Sequence, residues 1–210
     1  MKNLLIGFTG SVASILSEKI CKAFASKYNV KAIVTEASKQ FVDIEKLSSL
    51  KIEILSDADE FYPHIVYYTW DGHSSSKRPL PYEKNDQILH IALRDWADCL
   101  LIAPCSANTM AKIANGICDN LLTSVVRAWD FSREQNPPWG YKKKIILAPA
   151  MNCKMWSHPS TSKHLEQVAQ WEIWVVDPVE KKLACGETGV GAMASIYDID
   201  HVVARFLDKK

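Results

Sequence analysis

Residues 145–156 read IILAPAMNCKMW, and the reading of this stretch decides the fold. Ile145 to Ala148 form a short apolar run that stops at Pro149, the pattern of a strand buried on both faces. A run this short also fits a core segment with a packed methionine, so the flanking pattern has to arbitrate. If it is a strand of a parallel sheet, Ala150-Met151-Asn152 lies at its carboxyl end, where α/β folds bind small ligands. An amide and a thioether placed there suit a ligand that is part polar and part flat and apolar.

Working outward, a strand, turn and helix rhythm repeats. NLLIGFT (3–9) closes at Gly10-Ser11, and VASILSEKICKAF (12–24) follows with Val12, Ile15, Leu16, Ile20 and Phe24 at helical spacing. VKAIVT (30–35) reads as a second strand, ASKQFV (37–42) as a short helical piece and KIEIL (51–55) as a candidate third strand. Periodicity is lost from Ser56 to Glu83, where prolines, three consecutive serines (Ser74 to Ser76) and several aromatics gather. A loop of that length reads as a lid or an interface. A helix is expected over 86–96 with Asp86 near its start, then the strand DCLLIAP (98–104) and the helical SANTMAKIANG (106–116). DNLLTSVVRAW (119–129) reads as a helix with Asp119 as candidate N-cap, and 131–144 as a polar loop. A helix near 160–171, the strand WEIWVV (171–176), a loop over 177–195 and a helix from about Asp198 complete the chain. Strands alternating with helices imply βαβ units. The expectation is one α/β domain over residues 1–210, a doubly wound, mostly parallel sheet flanked by helices. Right-handed crossovers then put the post-strand turns along one rim.

Composition narrows the function. The formal charge is +1, from 25 basic and 24 acidic residues, which gives no electrostatic reason to expect a nucleic-acid or membrane-surface partner. No apolar run approaches the ~18 residues of a membrane span. The six cysteines form no CxxC pairs, so neither a metal site nor a disulfide framework is expected, and a reducing, cytoplasmic setting is the natural reading.

Three turns on the predicted rim carry hydrogen-bonding groups. Gly10-Ser11-Val12 opens the first helix, whose free N–H groups make an anion site. The GxGxxG fingerprint is absent and no acidic residue ends strand two, which closes instead on Thr35 with Ser38 beyond; hydroxyls suit a mononucleotide phosphate better than a ribose diol. Ser106-Ala107-Asn108-Thr109 ends another strand and opens another helix. Any one such turn is equally an ordinary helix cap. Three on one rim point to a shared anionic ligand.

These residues resemble the flavin-containing cysteine decarboxylases, in the branch that acts on 4′-phosphopantothenoyl-cysteine. The likeness rests on PCSANTMAKIANGICDNLLT (104–123), PAMNCKMW (149–156), LHIALRDWAD (89–98) and ACGETGVGAMA (184–194), with the GSVA turn at 10–13. It implies an FMN-binding fold, a homotrimer with the flavin at subunit interfaces, and conversion of the cysteine conjugate to 4′-phosphopantetheine for coenzyme A synthesis. FMN contacts are then expected at Gly10, Ser11, Val12, Thr35, Ser38, Ser106, Ala107, Asn108, Thr109, Ala150 and Met151. The same resemblance puts the catalytic histidine at His90, either assisting thiol deprotonation or holding the flavin interface, the carboxylate-binding asparagine at Asn152 and the proton-donating cysteine at Cys185.

The implied chemistry explains the residue types. Loss of CO2 from an ordinary cysteinyl carboxylate leaves a carbanion with no electron sink; hydride removal by the flavin makes the sulfur-bearing carbon a thioaldehyde, and the charge can spread onto sulfur. The enethiol left by CO2 loss then regains a proton and a hydride. A neutral amide at 152 orients the carboxylate without stabilising a charge that must depart. A thiol at 185, with an ordinary pKa of about 8.5, is protonated near neutrality and can donate. Gly186, Gly189 and Gly191 around it suggest a closing flap, while Met155 and Trp156 read as packing residues. Two rivals share parts of this pattern. An oxidative decarboxylase of peptide C-terminal cysteines stops at the enethiol and does not need Cys185. Regulatory relatives that inhibit a protein phosphatase carry acidic or Ser-rich extensions that this sequence does not show.

Overall fold

Alternate residues of the central strands go to opposite faces of the sheet, and both faces are buried. Leu4, Ile6 and Phe8 join Leu101 and Ile146 in one apolar cluster, whereas Leu5, Leu100, Ile102, Ile145 and Leu147 join a second. Each fully buried side chain of this size contributes about 1.5–3 kcal/mol. This two-sided burial is why the strands read as unbroken apolar runs. The computed structural model describes residues 1–61, 67–68, 75–76, 88–131, 143–182, 186 and 188–208.

Six parallel strands form the sheet among these residues: β1 (Asn3–Phe8), β2 (Asn29–Val34), β3 (Glu53–Leu55), β4 (Cys99–Cys105), β5 (Lys144–Pro149) and β6 (Trp174–Val175). Their order is β3-β2-β1-β4-β5-β6, the winding of a doubly wound nucleotide-binding sheet, which reverses direction between β1 and β4. Register runs from Leu4 opposite Cys99 to Gly7 opposite Ile102, and it slips by one residue between Ile102 and Cys105 against β5. The slip falls at Pro104, which has no N–H to give the ladder.

Nine helices flank the sheet among the described residues: α1 (Ser17–Ala25), α2 (Ile44–Ser48), α3 (Asp57–Phe61), α4 (Leu89–Trp96), α5 (Ala107–Ala114), α6 (Leu121–Arg127), α7 (Cys153–Trp156), α8 (Pro159–Gln170) and α9 (Ile196–Leu207). Phe24 of α1 and Val203 of α9 bury into the first cluster; Leu93 of α4, Met110 of α5, Leu122 of α6 and Val168 of α8 bury into the second. An antiparallel hairpin, β7 (Val179–Lys182) and β8 (Thr188–Ala192), stands apart from the sheet, as does a two-residue pairing of 67–68 with 75–76.

The doubly wound expectation is met, with local corrections. The first helix opens as a 3₁₀ turn over Val12–Leu16, and Thr35 lies beyond β2 as an N-cap residue. ASKQFV yields only the 3₁₀ turn Glu36–Ser38, and α2 follows, capped by Asp43. Asp119 is not the N-cap of α6: Asn120 is, in a capping box with Thr123, while Asp119 pairs with Lys112 at 2.7 Å. The strand expected over 171–176 shortens to two residues, because the N–H groups of Trp171 and Glu172 close the end of α8 and Glu172 turns at φ +59°. The supposed loop at 177–195 contains the hairpin, and the last helix starts two residues early, capped by Ser195. Asp86 and most of 56–83 and 131–144 lie outside the described residues, though α3 falls in the stretch that showed no periodicity.

At the reversal point one hydroxyl joins the two central strands. Thr9 is fully buried; its Oγ1 donates to the carbonyl of Pro104 at 2.7 Å and accepts from the N–H of Ser106 at 2.8 Å. Thr9→Val keeps the side-chain shape but strands both backbone groups in a dry site. It should cost about 1–3 kcal/mol, read as a lower urea midpoint with an unchanged slope at fixed protein concentration. An unchanged midpoint would contradict this linkage.

Candidate active site

The turns after β1, β4 and β5 meet at the carboxyl rim, and a cavity of about 570 Å³ opens between them. Ser11 begins the first wall: its side chain accepts from the N–H of Ala13 and caps the 3₁₀ turn, leaving Gly10 and Val12 on the lining. Ser106 caps α5, its Oγ accepting from the N–H of Thr109 at 3.2 Å, and Ala107 and Asn108 face the cavity. Ala150, Met151 and Asn152 form the third wall. Asn152 caps α7, its Oδ1 accepting from the N–H of Lys154 at 2.8 Å.

A second, more polar cavity of about 310 Å³ adjoins the first and shares Gly10, Ser106 and Asn108 with it. Thr35 and Thr109 line it, together with Glu36, Asp57, Lys112 and Asn120. The two cavities meet because Gly10 lets the turn after β2 come close; a Cβ on Gly10 would lie 2.8 Å from the Cβ of Ala37. Ser38 lines neither cavity. Its hydroxyl is fully buried and donates to the carbonyl of Thr35 at 2.7 Å, while the Thr35 hydroxyl donates to the carbonyl of Phe8 at 3.0 Å. Ser38 therefore shapes the turn from within.

The hairpin closes the cavity from the side. Gly191, Ala192 and Met193 line it, as does Lys181, the one charged lining side chain among the described residues. The N–H of Met151 donates to the carbonyl of Gly191 at 2.9 Å. Gly191 sits at φ +154°, and a Cβ there would collide with the carbonyl oxygen of Met151. Sequence reasoning expected a flap around Gly189 and Gly191 but not the paired strands that form this wall, nor Lys181 on it, because VEKK and TGVGA carry no apolar alternation. It also missed Phe41 and misassigned Met155, which lines the cavity at 49% exposure; Trp156 does pack against the second core cluster.

His90 does not line the cavity of its own chain. It sits on α4, where its ring Nδ1 lies 2.5 Å from Oε1 of Glu60 on α3. Cys185 lies outside the described residues. Cys105, beside Ser106, is fully buried, and burial pushes its thiol up to about 12, so it is an inert packing group at the rim.

The chain matches the model of the Flavoprotein family over residues 1–208. It belongs to that family. A rice phosphopantothenoylcysteine decarboxylase is 43% identical over 200 residues, covering 95% of this chain and 78% of the rice protein. Among solved structures, a mutant PPC decarboxylase complexed with pantothenoylaminoethenethiol superposes with a TM-score of 0.82 at 37% identity, covering 99% of both chains. The FMN-binding protein AtHal3 superposes with a TM-score of 0.79 at 38% identity, covering 100% of this chain and 98% of the other.

The contact between Gly191 and the turn at 151 gives a direct test of the family site. Gly191→Ala should push the hairpin off that turn at a cost of about 1–3 kcal/mol. The expected readout is a melting temperature lower by several degrees together with weaker retention of bound flavin. Wild-type behaviour in both would show that the hairpin is not a wall of the site.

Proposed function

We propose that this protein is an FMN-dependent decarboxylase that converts 4′-phosphopantothenoyl-cysteine into 4′-phosphopantetheine, a step toward coenzyme A, with residues 1–210 working as one domain. The observation that carries this reading is the paired cavity at the winding reversal, with Asn152 on its wall, in a chain so similar to phosphopantothenoylcysteine decarboxylases. The dimensions suit the cofactor, since sites for ligands of this size span about 300–1,000 Å³. Val12, Ile15, Leu16, Met151 and Met193 supply apolar wall for a flat ring; Thr109 and the N-terminus of α5 supply donors for a phosphate, and Thr35 and Ser106 line the site. Gly10, Ser11, Ala107, Asn108 and Ala150 complete the cradle, with Ser38 bracing it.

When bound, FMN supplies the hydride acceptor that a cysteinyl substrate needs before CO2 can leave. Asn152 orients the substrate carboxylate as a neutral donor, so the departing charge is held in place without being stabilised. Met151 offers a soft apolar contact beside it. Cys185 returns a proton to the substrate after CO2 loss, and His90 accepts the proton of the substrate thiol. Because His90 does not line its own cavity, a neighbouring copy supplies it in this reading. The exposed apolar residues at the mouth, Val12, Ile15 and Met155, support a covering subunit, and a homotrimer is the assembly proposed. No helix among the described residues is long and apolar enough to cross a membrane. We place the protein in the cytoplasm on its six cysteines without paired spacing.

The purified protein, given the cysteine conjugate, should release CO2 and 4′-phosphopantetheine in equal amounts. An enethiol as sole product would favour the oxidative rival, and no CO2 would end the proposal. Asn152→Asp can still cap α7, so it should keep flavin yet lose turnover as its charge repels the substrate carboxylate; undiminished turnover would remove the role given to the amide. Cys185→Ser should still release CO2 but accumulate a thiol-unsaturated product. Full conversion by that variant would assign the proton donor elsewhere.

A further inference from the structure

The helix that carries His90 starts without a side-chain cap of its own. Ile88 stands at the N-cap position of α4 and has no hydrogen-bonding side chain. The group that satisfies this end comes from a distant segment. Glu60 Oε2 accepts from the backbone N–H of His90 at 2.9 Å, and its Oε1 faces Nδ1 of the same residue at 2.5 Å. One carboxylate thus grips both the backbone and the ring of a single histidine. The Glu60 side chain is only 9% exposed, and a carboxylate so placed is tolerable because it has donors on both oxygens.

The segment bearing Glu60 is tied to the start of α6 and closed at its own first turn. Asp57 Oδ1 accepts from the N–H of Leu121 at the start of α6, at 2.9 Å, and Asp59 Oδ2 accepts from the N–H and hydroxyl of Ser56. A simple helix cap needs one oxygen. The second oxygen, aimed at the imidazole, does something a cap does not.

We propose that Glu60 is a positioning residue for His90, fixing the ring direction and holding the neutral imidazole in the tautomer that carries its proton on Nδ1. A carboxylate can only accept, so the facing nitrogen must be the one with hydrogen, and Nε2 is left as the basic nitrogen. That nitrogen is the one able to take the proton of a substrate thiol. The proposal rests on the site role given to His90 above and adds the residue that orients it.

Glu60→Gln tests the assignment while preserving shape. The amide oxygen can still accept from the His90 N–H, so the helix end stays satisfied, but the NH2 can face Nδ1 and favour the opposite tautomer. A wrong tautomer removes general-base assistance, so kcat should fall roughly a hundredfold with little change in KM, melting temperature or bound flavin. In a His90→Asn background the same change should add no further loss. In wild-type protein with ¹⁵N-labelled histidine rings, the neutral His90 resonance should show hydrogen on Nδ1. Wild-type kcat in Glu60→Gln, independent multiplying losses in the double variant, or hydrogen on Nε2 in the wild type would each overturn the role of Glu60. Full turnover in His90→Asn would instead remove the role of His90 itself, and that of Glu60 with it. The ring measurement needs no variant, so it decides the matter even if Glu60→Gln folds poorly.

Discussion

A doubly wound sheet gains a binding crevice only if the two strands at its reversal point end together yet leave their following turns apart. Here a single buried hydroxyl enforces that condition. Thr9 Oγ1 bridges the carbonyl of Pro104 and the N–H of Ser106, while its own carbonyl accepts from the N–H of Ser11 and the hydroxyl of Ser14, both at 2.7 Å. The turn after β1 and the N-cap of α5 are therefore fixed to one residue. Everything that lines the cavity from those two sides inherits its position from this point.

The remaining walls are tied to that frame by single contacts of the same kind. The N–H of Ala150 donates to the carbonyl of Cys105 at 3.0 Å, which sets the third turn against the second. The N–H of Met151 donates to Gly191, which sets the hairpin against the third turn. The hairpin is thus held to the sheet through a backbone hydrogen bond and a close glycine approach, with no strand pairing to the sheet itself. Such an element can yield at lower cost than a core strand. That suits a wall that must admit a substrate and then exclude water.

Much of this was legible in the sequence, for a physical reason. Strands β1, β4 and β5 are buried on both faces, so their apolar runs stood out and their ends marked the rim at Gly10, Ser106 and Ala150. The hairpin was not legible as strands: Val179, Glu180 and Lys181 are exposed, and the buried position of Thr188–Ala192 is a glycine, Gly191, so no apolar alternation marks it. Thr35 and Ser38 were found as a pair, but whether a hydroxyl points at a ligand or at a backbone carbonyl is a tertiary matter. Both took a carbonyl, and only Thr35 also lines a cavity. The contact of Glu60 with His90, 30 residues away, crosses an aperiodic stretch and had no local signal at all. Lys181 and Met155 show the same limit, since the side a short element presents depends on what it docks against.

Hydrogen exchange on flavin-stripped protein with FMN added back reads whether flavin occupies the crevice built on Thr9. Added FMN should slow exchange at the backbone amides of residues 11–13, 106–109 and 150–152, with smaller changes elsewhere. Exchange there unaltered by FMN, or protection confined to a different face of the sheet, would mean that flavin does not bind in this crevice.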